Sequence, residues 1–472
     1  MKRQERNAVL MLALVAGCGT VSAQQKAEAG KKYNVLFIAS DDLNTDMHCY
    51  GDPQVKTPNI DRISRQGVRF DRAYNQFPLS GPSRASVMTG YRPDKTGVYN
   101  LTVNFRENLP SAVTIAQLFK NNGYFSGRVG KIYHYGVPGQ IGTNGMDDTQ
   151  SWTQCFNPIG IDKTEEHLVT NYTPNRGLGS SLSFRATDGT DNEHTDAMTA
   201  NTAVMMMRQH KDEPFFLAVG FFRPHCPYIA PRKYYDMYPL DKIQLPEERD
   251  DDWVNKPEVA KFTDPLHWGL SEDKRKEVLQ AYYASISFMD AQVGKLLDAL
   301  EELGLKDNTI IVFWSDHGYH VGQHGQWMKQ SLYEHVARTP LLISVPGVTN
   351  GTPCPRIVEF VDIYPTVAEL CKLPAPRDLD GKNLVPLLNN PNLKWDYPAF
   401  TQVLRNRDNQ RIDGRTIRTE RYRYMEWNKG EQGIELYDYE TDPLEFNNLA
   451  NDKKYKKIVD EMSEKLRASY YE

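Results

Sequence analysis

The chain predicts an α/β protein: a large, mixed, mostly parallel sheet flanked by helices, with a smaller C-terminal α+β subdomain. Three observations lead there. Short apolar runs rich in branched residues, at 33–40, 214–222 and 309–315, have the pattern of strands buried on both faces. Helical patterns alternate with them, as a parallel sheet requires. After a Pro-rich segment at 373–387 the pattern changes to short alternating stretches separated by turn residues. A length of 472 residues suits one large domain and a smaller one. The expected division is an export signal over 1–23, a main domain over 24–385, and a subdomain with a small antiparallel sheet and terminal helix over 386–472.

The N-terminus reads as a targeting segment. Lys2, Arg3 and Arg6 precede an apolar run at 8–16 that is too short to be a stable membrane span. Two endings compete. Leu14-Val15-Ala16-Gly17-Cys18 looks like a bacterial lipobox with Cys18 as the lipidated residue, and Val21-Ser22-Ala23 looks like an ordinary signal peptidase site. Either one sends the mature protein to the periplasm or, as a lipoprotein, to the cell surface or outer membrane, with no transmembrane helix. A net charge of −5 argues against nucleic acid as a partner, so any anionic ligand must meet locally arranged positive charge. Cys49, Cys155, Cys226, Cys354 and Cys371 are odd in number and match no zinc spacing. Cys354 and Cys371 could pair, and most of the five read as packing residues.

The strand at 33–40 ends in Asp41-Asp42, at the edge where open α/β sheets bind ligands. Adjacent acids repel, which suggests a cation between them; an Asp-Asp turn and helix cap is the alternative. Pro58 opens a helix that carries Ile60 and Ile63 and stops at Gly67. Residues 68–74 form a strand leading into LSGPSRASVMTG at 79–90. Pro82 suits the first turn of a helix over 83–89. Ser80 then lies beside free N–H groups that favour anions, and Arg84 can reach back with its fork of donors. An amphipathic helix spans 111–122. The strand at 124–129 is followed by Gly130-Lys131-Ile132-Tyr133-His134. The polar, aperiodic segment 136–192 reads as a long surface excursion and a candidate site wall.

A helix at 196–210 carries Met205 to Met207 as core filler. The strand at 214–222 ends in Arg223-Pro224-His225-Cys226-Pro227, where prolines hold His225 rigidly. The longest helix, 271–303, reads as broken near its start. The strand at 309–315 ends in Asp316-His317-Gly318-Tyr319-His320, and Lys329 follows in a Gly- and Gln-rich loop. Residues 340–345 form a strand and 363–371 a helix. Short antiparallel strands are expected at 399–403, 411–419, 422–427 and 434–437, and a last helix at 453–470.

Ser80-Gly81-Pro82-Ser83-Arg84 closely resembles the signature of type I sulfatases, a Cys or Ser followed by x-Pro-x-Arg. The resemblance runs from Asn34 to Leu449 and includes ELYDYETDPLEFNNL at 435–449, similar to the family's closing signature. Within the family the chain is most similar to the iduronate 2-sulfatase group, through Gly130 to His134, Pro224-His225-x-Pro227, Ser315-Asp316-His317-Gly318 and Gly325-Gln326-Trp327-x-Lys329. Ser80 departs from the Cys of that group's human-type members.

The resemblance implies an alkaline phosphatase-like sulfatase fold, with 24–385 as the catalytic domain, and hydrolysis of a sulfuric ester on a carbohydrate. It implies formylglycine (3-oxoalanine) made from Ser80 by a serine-type maturase, and Ca2+ held by Asp41, Asp42, modified Ser80, Asp316 and His317. Lys131 and Lys329 would neutralise the sulfate, and Arg84 would fix the aldehyde hydrate. His225 would protonate the leaving oxygen and His134 would accept the proton of the second hydroxyl. Lys131, His225, Lys329, Arg223, Tyr319 and His320 are the expected substrate contacts. The resemblance favours exo action on a uronate 2-O-sulfate of glycosaminoglycans, and Arg223, Arg232, Lys233, Arg405 and Arg407 are spare cations near the site in sequence. Three alternatives stand beside it: a sulfatase for another glycan such as algal galactan or mucin, a phosphoester or phosphonate hydrolase of the same superfamily, and a non-catalytic glycan-binding lipoprotein with unmatured Ser80.

Overall fold

The computed structural model describes residues 32–407 and 409–470. The expected export signal and Cys18 lie outside them. The main sheet has eight strands: β1 (Asn34–Asp41), β2 (Val68–Tyr74), β3 (Phe125–Gly130), β4 (Gln154–Phe156), β5 (Phe215–Pro224), β6 (Thr309–Ser315), β7 (Leu341–Ser344) and β8 (Cys354–Glu359). Their order is β8-β2-β7-β6-β1-β5-β3-β4. β1 lies between β5 and β6 and is parallel to both, with Val35 opposite Phe216 on one side and Ile310 on the other. β7 runs antiparallel to both of its neighbours. The mixed, mostly parallel α/β architecture is therefore as expected.

The all-apolar runs follow from burial on both faces. Successive strand residues point to opposite sides, so Val35, Phe37 and Ala39 enter one core while Leu36 and Ile38 enter another. The first core receives α2 (Ser80–Thr89) through Val87 and Met88, and α3 (Ile115–Asn121) through Ile115, Ala116 and Phe119. The second receives α1 (Pro58–Gln66) through Ile60 and Ile63, α4 (Thr195–Gln209) and the long α5 (Glu272–Glu302), whose Tyr282, Ile286, Met289 and Val293 are buried.

Several expectations change. α2 begins at Ser80, three residues early, so the whole of its first turn lies inside the protein. α3 starts only after Thr114, whose side chain caps it by accepting from Gln117 N. α5 is unbroken. The segment 136–192 is not structureless: it supplies β4 and the strands Thr170–Asn171 and Ser183–Thr187, the latter parallel to Tyr228–Pro231. Strands of two to five residues are too short to leave a period in the sequence. Met206 and Met207 fill core, but Met205 is exposed. Cys354 and Cys371 do not pair; all five described cysteines are free, and Cys354 Sγ donates to Pro391 O instead.

The C-terminal sheet is antiparallel and in chain order: β9 (Ala399–Arg407), β10 (Gln410–Arg418), β11 (Tyr422–Trp427) and β12 (Ile434–Asp438). α6 (Lys456–Tyr470) covers one face, with Val459, Met462 and Leu466 against Phe400, Ile417, Tyr424 and Leu436. The described residues from Tyr33 onward form one compact unit. Among the described residues, no helix is long and apolar enough to cross a membrane.

A buried carboxylate ties the two sheets. Glu334 accepts from Arg423 of β11, from Tyr74 Oη of β2 at 3.0 Å and from Tyr439 Oη at 3.0 Å. Burial alone would raise its carboxyl, yet Arg423, Arg418 and Arg338 hold it at about 2. A lowered pKa gives stability that is complete above the ordinary glutamate value near 4.5 and is lost as pH falls through the folded value. Glu334→Gln should cost about 1–3 kcal/mol at neutral pH, because the buried Arg423 loses one of its two carboxylate partners and keeps Glu445. The gap in melting temperature should hold between about pH 5 and 7 and narrow below the unfolded value. Melting curves that coincide at pH 7 would remove this joint.

Candidate active site

The C-terminal edge of the main sheet gathers the polar strand ends. β1 ends in Asp41, and Asp42 follows with φ of 64°, a left-handed turn. Asp42 N donates to Asp316 Oδ1 at 3.1 Å, which joins the ends of β1 and β6. After β3, Gly130 turns with φ of 72°, and a Cβ there would come 2.1 Å from Gly220 O. Only glycine fits this turn, and it carries Lys131 into the site. The loop after β5 brings His225, and Lys329 follows the short strand Trp327–Met328. Gln330 N donates to Pro78 O, which ties the Lys329 segment to the approach of Ser80.

Ser80 is the first residue of α2. Its Oγ lies 3.3 Å from Asp41 Oδ1 and 3.2 Å from His317 Nε2. Beneath it Arg84 is wholly buried, with every donor engaged: Nε with Asp316 Oδ2, Nη1 with Lys131 O and Ile132 O, and Nη2 with Ser40 O and Asp41 Oδ1. Arg84 therefore braces the walls, and no donor is left for a ligand. Ser83 Oγ also donates to Asp316 O.

Each lysine faces one aspartate. Lys131 Nζ is 2.6 Å from Asp41 Oδ2, and Lys329 Nζ is 2.7 Å from Asp42 Oδ1. Burial would raise Asp41, yet Lys131 above all, with His225, Arg84 and Lys329, holds it well below the usual carboxylate range. Burial raises Asp42, against Lys329 and His317 and with Asp41 and Asp316 adding to it. Burial lowers the Lys131 ammonium, whereas at Lys329 the charges of Asp42 and Asp41 outweigh burial and raise it.

A metal fits beside Ser80. Asp42, Asp316 and His317 offer ligand atoms that all lie within 4.8 Å of one another. His317 Nδ1 lies 2.9 Å from Gly318 O. A proton held there leaves the Nε2 lone pair facing Asp42 Oδ1 at 3.4 Å and Asp316 Oδ2 at 3.5 Å. Among the described residues Asp42 Oδ2 has no hydrogen-bond partner. Oxygen-rich ligands of this kind suit a hard divalent cation. Asp41, expected in this set, has its oxygens engaged by Lys131, Arg84 and Ser80 and stands outside the group.

Of the expected site residues, the structure brings together Asp41, Asp42, Ser80, Arg84, Lys131, His225, Asp316, His317 and Lys329. His225 Nδ1 is 2.6 Å from Cys226 O, and Nε2 is 3.1 Å from Lys329 Nζ. His134 is half-buried with no partner on Nδ1, in a cleft it shares with Gly81, Ala85 and Met146. Burial first, then Lys131, hold its imidazole down at about 2, so it is neutral.

Three expected substrate contacts lie elsewhere. Arg223 is buried and donates to His225 O, Pro227 O and Asp162 Oδ2, so it shapes the His225 loop from behind. Tyr319 is fully buried, with its hydroxyl 3.0 Å from that of Tyr228 and its ring stacked on Tyr282. His320 is buried with Nε2 3.1 Å from Ser331 Oγ. All three sit next to chemistry in sequence, and adjacency could not separate them from it. Sequence reading missed Asp162 and Asp196. Asp196 accepts from Phe222 N and Arg223 N, and burial pushes its carboxyl up to about 7. Its only signal was that of a helix-start acid.

An open α/β sheet whose edge gathers a helix-terminal serine, a cation cradle and paired lysines defines a site for a tetrahedral oxyanion ester. Residues 33–373 match the family model described as Sulfatase, and 322–471 match one described as N-sulphoglucosamine sulphohydrolase, C-terminal. A sulfatase of Formosa agariphila is 34% identical over 469 residues, spanning 94% of this chain and 88% of its own length. Iduronate 2-sulfatase of Homo sapiens is 31% identical over 532 residues, spanning 94% of this chain and 96% of its own. The crystal structure of a phosphonate monoester hydrolase of Agrobacterium radiobacter superposes with a TM-score of 0.75 at 23% identity, covering 93% of this chain and 96% of that one, and so shares the fold. The chain belongs to the sulfatase family, and its enzyme class is sulfuric ester hydrolase.

Arg84→Lys tests the brace. A lysine has three donors on a point charge and cannot span five acceptors. We expect a loss of about 3–5 kcal/mol in stability together with turnover. Wild-type melting with turnover alone reduced would show that Arg84 is not structural.

Proposed function

We propose that the chain removes a sulfate from a carbohydrate by exo action, with the 2-O-sulfate of a uronic acid as substrate, using formylglycine made from Ser80 and a bound Ca2+. The observation that carries this is the place of Ser80. Its oxygen lies within 3.3 Å of both Asp41 and His317, at the rim of the cation cradle and between the two lysine–aspartate pairs. Asp42, Asp316 and His317 would hold the cation, with Asp41 and the modified Ser80 beside them. The cation would act as a Lewis acid on the sulfate, and the hydrated aldehyde would supply a nucleophile with a second hydroxyl for release.

The residues of the chain do the rest. Lys131 and Lys329 present ammonium groups to the sulfate oxygens in a site closed to water. His225 Nε2, which lies 3.1 Å from Lys329 Nζ in the free site, would carry a proton to the leaving sugar oxygen, its Nδ1 being engaged with Cys226 O. Burial, then Lys329 and Lys131, keep this imidazole neutral in the free site. An anionic substrate would offset those charges and let Nε2 take up a proton from solvent as it binds. His134, neutral and with no partner on Nδ1 among the described residues, would accept the proton of the second hydroxyl. Export to the periplasm or cell surface and maturation by a serine-type formylglycine-generating enzyme belong to the same reading, and the sulfatase relatives favour it over a phosphoester hydrolase.

Ser80→Ala should abolish multiple turnover, and the matured wild-type peptide should weigh about two mass units less than the serine form. Repeated turnover by the alanine variant would refute the formylglycine route. His225→Ala should slow a sugar sulfate about 100- to 10,000-fold and a nitrophenyl sulfate far less, since nitrophenolate leaves without a proton. Equal losses would take His225 out of that role. Galactose sulfate cleaved with no activity on 2-O-sulfated uronates would overturn the substrate.

A further inference from the structure

Of the five cations that the sequence sets near the site, four are already paired. Arg223 is held by Asp162, Arg232 by Asp188 and Lys233 by Asp191, while Arg407 lies 3.6 Å from Glu258. Arg405 differs. It is 8% exposed, and none of its three guanidinium nitrogens has a hydrogen-bond partner among the described residues. Its guanidinium carbon lies 5.1 Å from the centre of the Phe262 ring and 5.6 Å from that of Trp427. Aromatic rings accept the cation but cannot satisfy its N–H groups. Burial, with Arg407 adding, lowers its pKa to about 9. A buried cation without an acceptor is costly and calls for one from outside.

The strand that carries it runs along the approach to Ser80. Thr401 Oγ1 donates to Asn75 O at 2.5 Å and Gln402 N to Gln76 O at 3.0 Å. Val403 packs with Phe77, Leu79 and Leu332, and Arg405 is the next residue on that face. Phe262 is tied to the Lys329 segment through its N–H on Gln326 Oε1 at 2.8 Å. Phe262 also has Arg176 at 5.9 Å. Arg176 closes a turn onto Ser180 O, and a Cβ on Gly179 in that turn would stand 4.0 Å from His225 Cε1. Arg405 thus belongs to the wall that links the Ser80 approach, the Lys329 segment and the His225 loop.

We propose that Arg405 receives a second oxyanion of the bound sugar, a carboxylate or a further sulfate, next to the sulfate held by Lys131 and Lys329. Arg405 would thereby select doubly anionic sugars, a role that rests on the glycan-sulfatase reading above. The planar fork of arginine binds either oxyanion in two-point fashion.

The test is calorimetric binding to unmatured protein, which needs no turnover. One pair of probes is a 2-O-sulfated uronate disaccharide and its carboxyl-reduced form; the other is a disulfated hexosamine and its monosulfated counterpart. Wild type should prefer the doubly anionic member of one pair by about 10- to 100-fold, and that pair names the second oxyanion. Arg405→Met should erase the preference and Arg405→Lys should restore part of it. The melting temperature of Arg405→Met should equal or exceed that of wild type, because an unpaired buried cation is gone. A methionine variant that melts several degrees lower with the preference intact, or that weakens both members of each pair equally, overturns the proposal. Wild type that binds no sulfated sugar overturns the glycan reading and the role of Arg405 with it; binding without a preference overturns Arg405 alone.

Discussion

The site stands on one buried guanidinium. Arg84 donates to side chains or carbonyls at the ends of β1, β3 and β6, three strands that lie far apart in the sequence. Each of those ends exposes carbonyls or carboxylates that point towards the others and would repel. A charged, rigid, five-donor group satisfies them at once, which a lysine or a neutral donor cannot do. Because Arg84 is one turn along α2 from Ser80, the same contact that draws the strand ends together fixes the serine at their centre. The signature residue is then structural in its contacts, and its effect on chemistry passes through position.

Charge balance sets what the site accepts. Asp41 and Lys131, and Asp42 and Lys329, form close pairs in a region with almost no solvent contact. Such pairs give little net stability, because desolvation offsets the attraction. They leave groups of both signs ready to change partners. A dication on the Asp42, Asp316 and His317 side would compensate the carboxylates, and an oxyanion on the lysine side would compensate the ammonium groups. The arrangement would therefore couple the two ligands in sign.

The C-terminal sheet is more than a cover. β9 lies along residues 75–76, the Glu334 joint binds β11 to β2, and Val403 and Met425 share a core with Phe77 and Leu79. The approach to Ser80 is thus held from behind by residues more than 300 positions later. This sheet also carries Arg405, whose guanidinium lies against Phe262 and Trp427. The main sheet supplies the chemistry, and the later sheet supplies rigidity together with one unanswered cation.

Much of this was legible in the linear chain. Burial on both faces makes a parallel strand apolar throughout, so β1, β5 and β6 were visible as runs, and their expected ends at Ser40, Phe222 and Ser315 marked the edge near which Asp41, Asp42, His225 and Asp316 follow. Pro82 marked the first turn of α2, and the Ser80 to Arg84 motif pointed to its family. Local sequence determined those features because strand period, helix capping and turn chemistry act over a few residues. Which polar neighbours face the site was decided only by the tertiary structure. Arg223, Tyr319 and His320 stand beside His225 and His317 in sequence but turn into packing, because their partners Asp162, Tyr228 and Ser331 are brought up by folding. The short strands of 136–192 pair with β3 and with Tyr228–Pro231, partners that lie far from them in sequence. Arg405 and Arg407 look alike as letters, two apart on one strand; a carboxylate near one and aromatic rings around the other separate them, and those neighbours come from residues 258, 262 and 427, which only folding brings near.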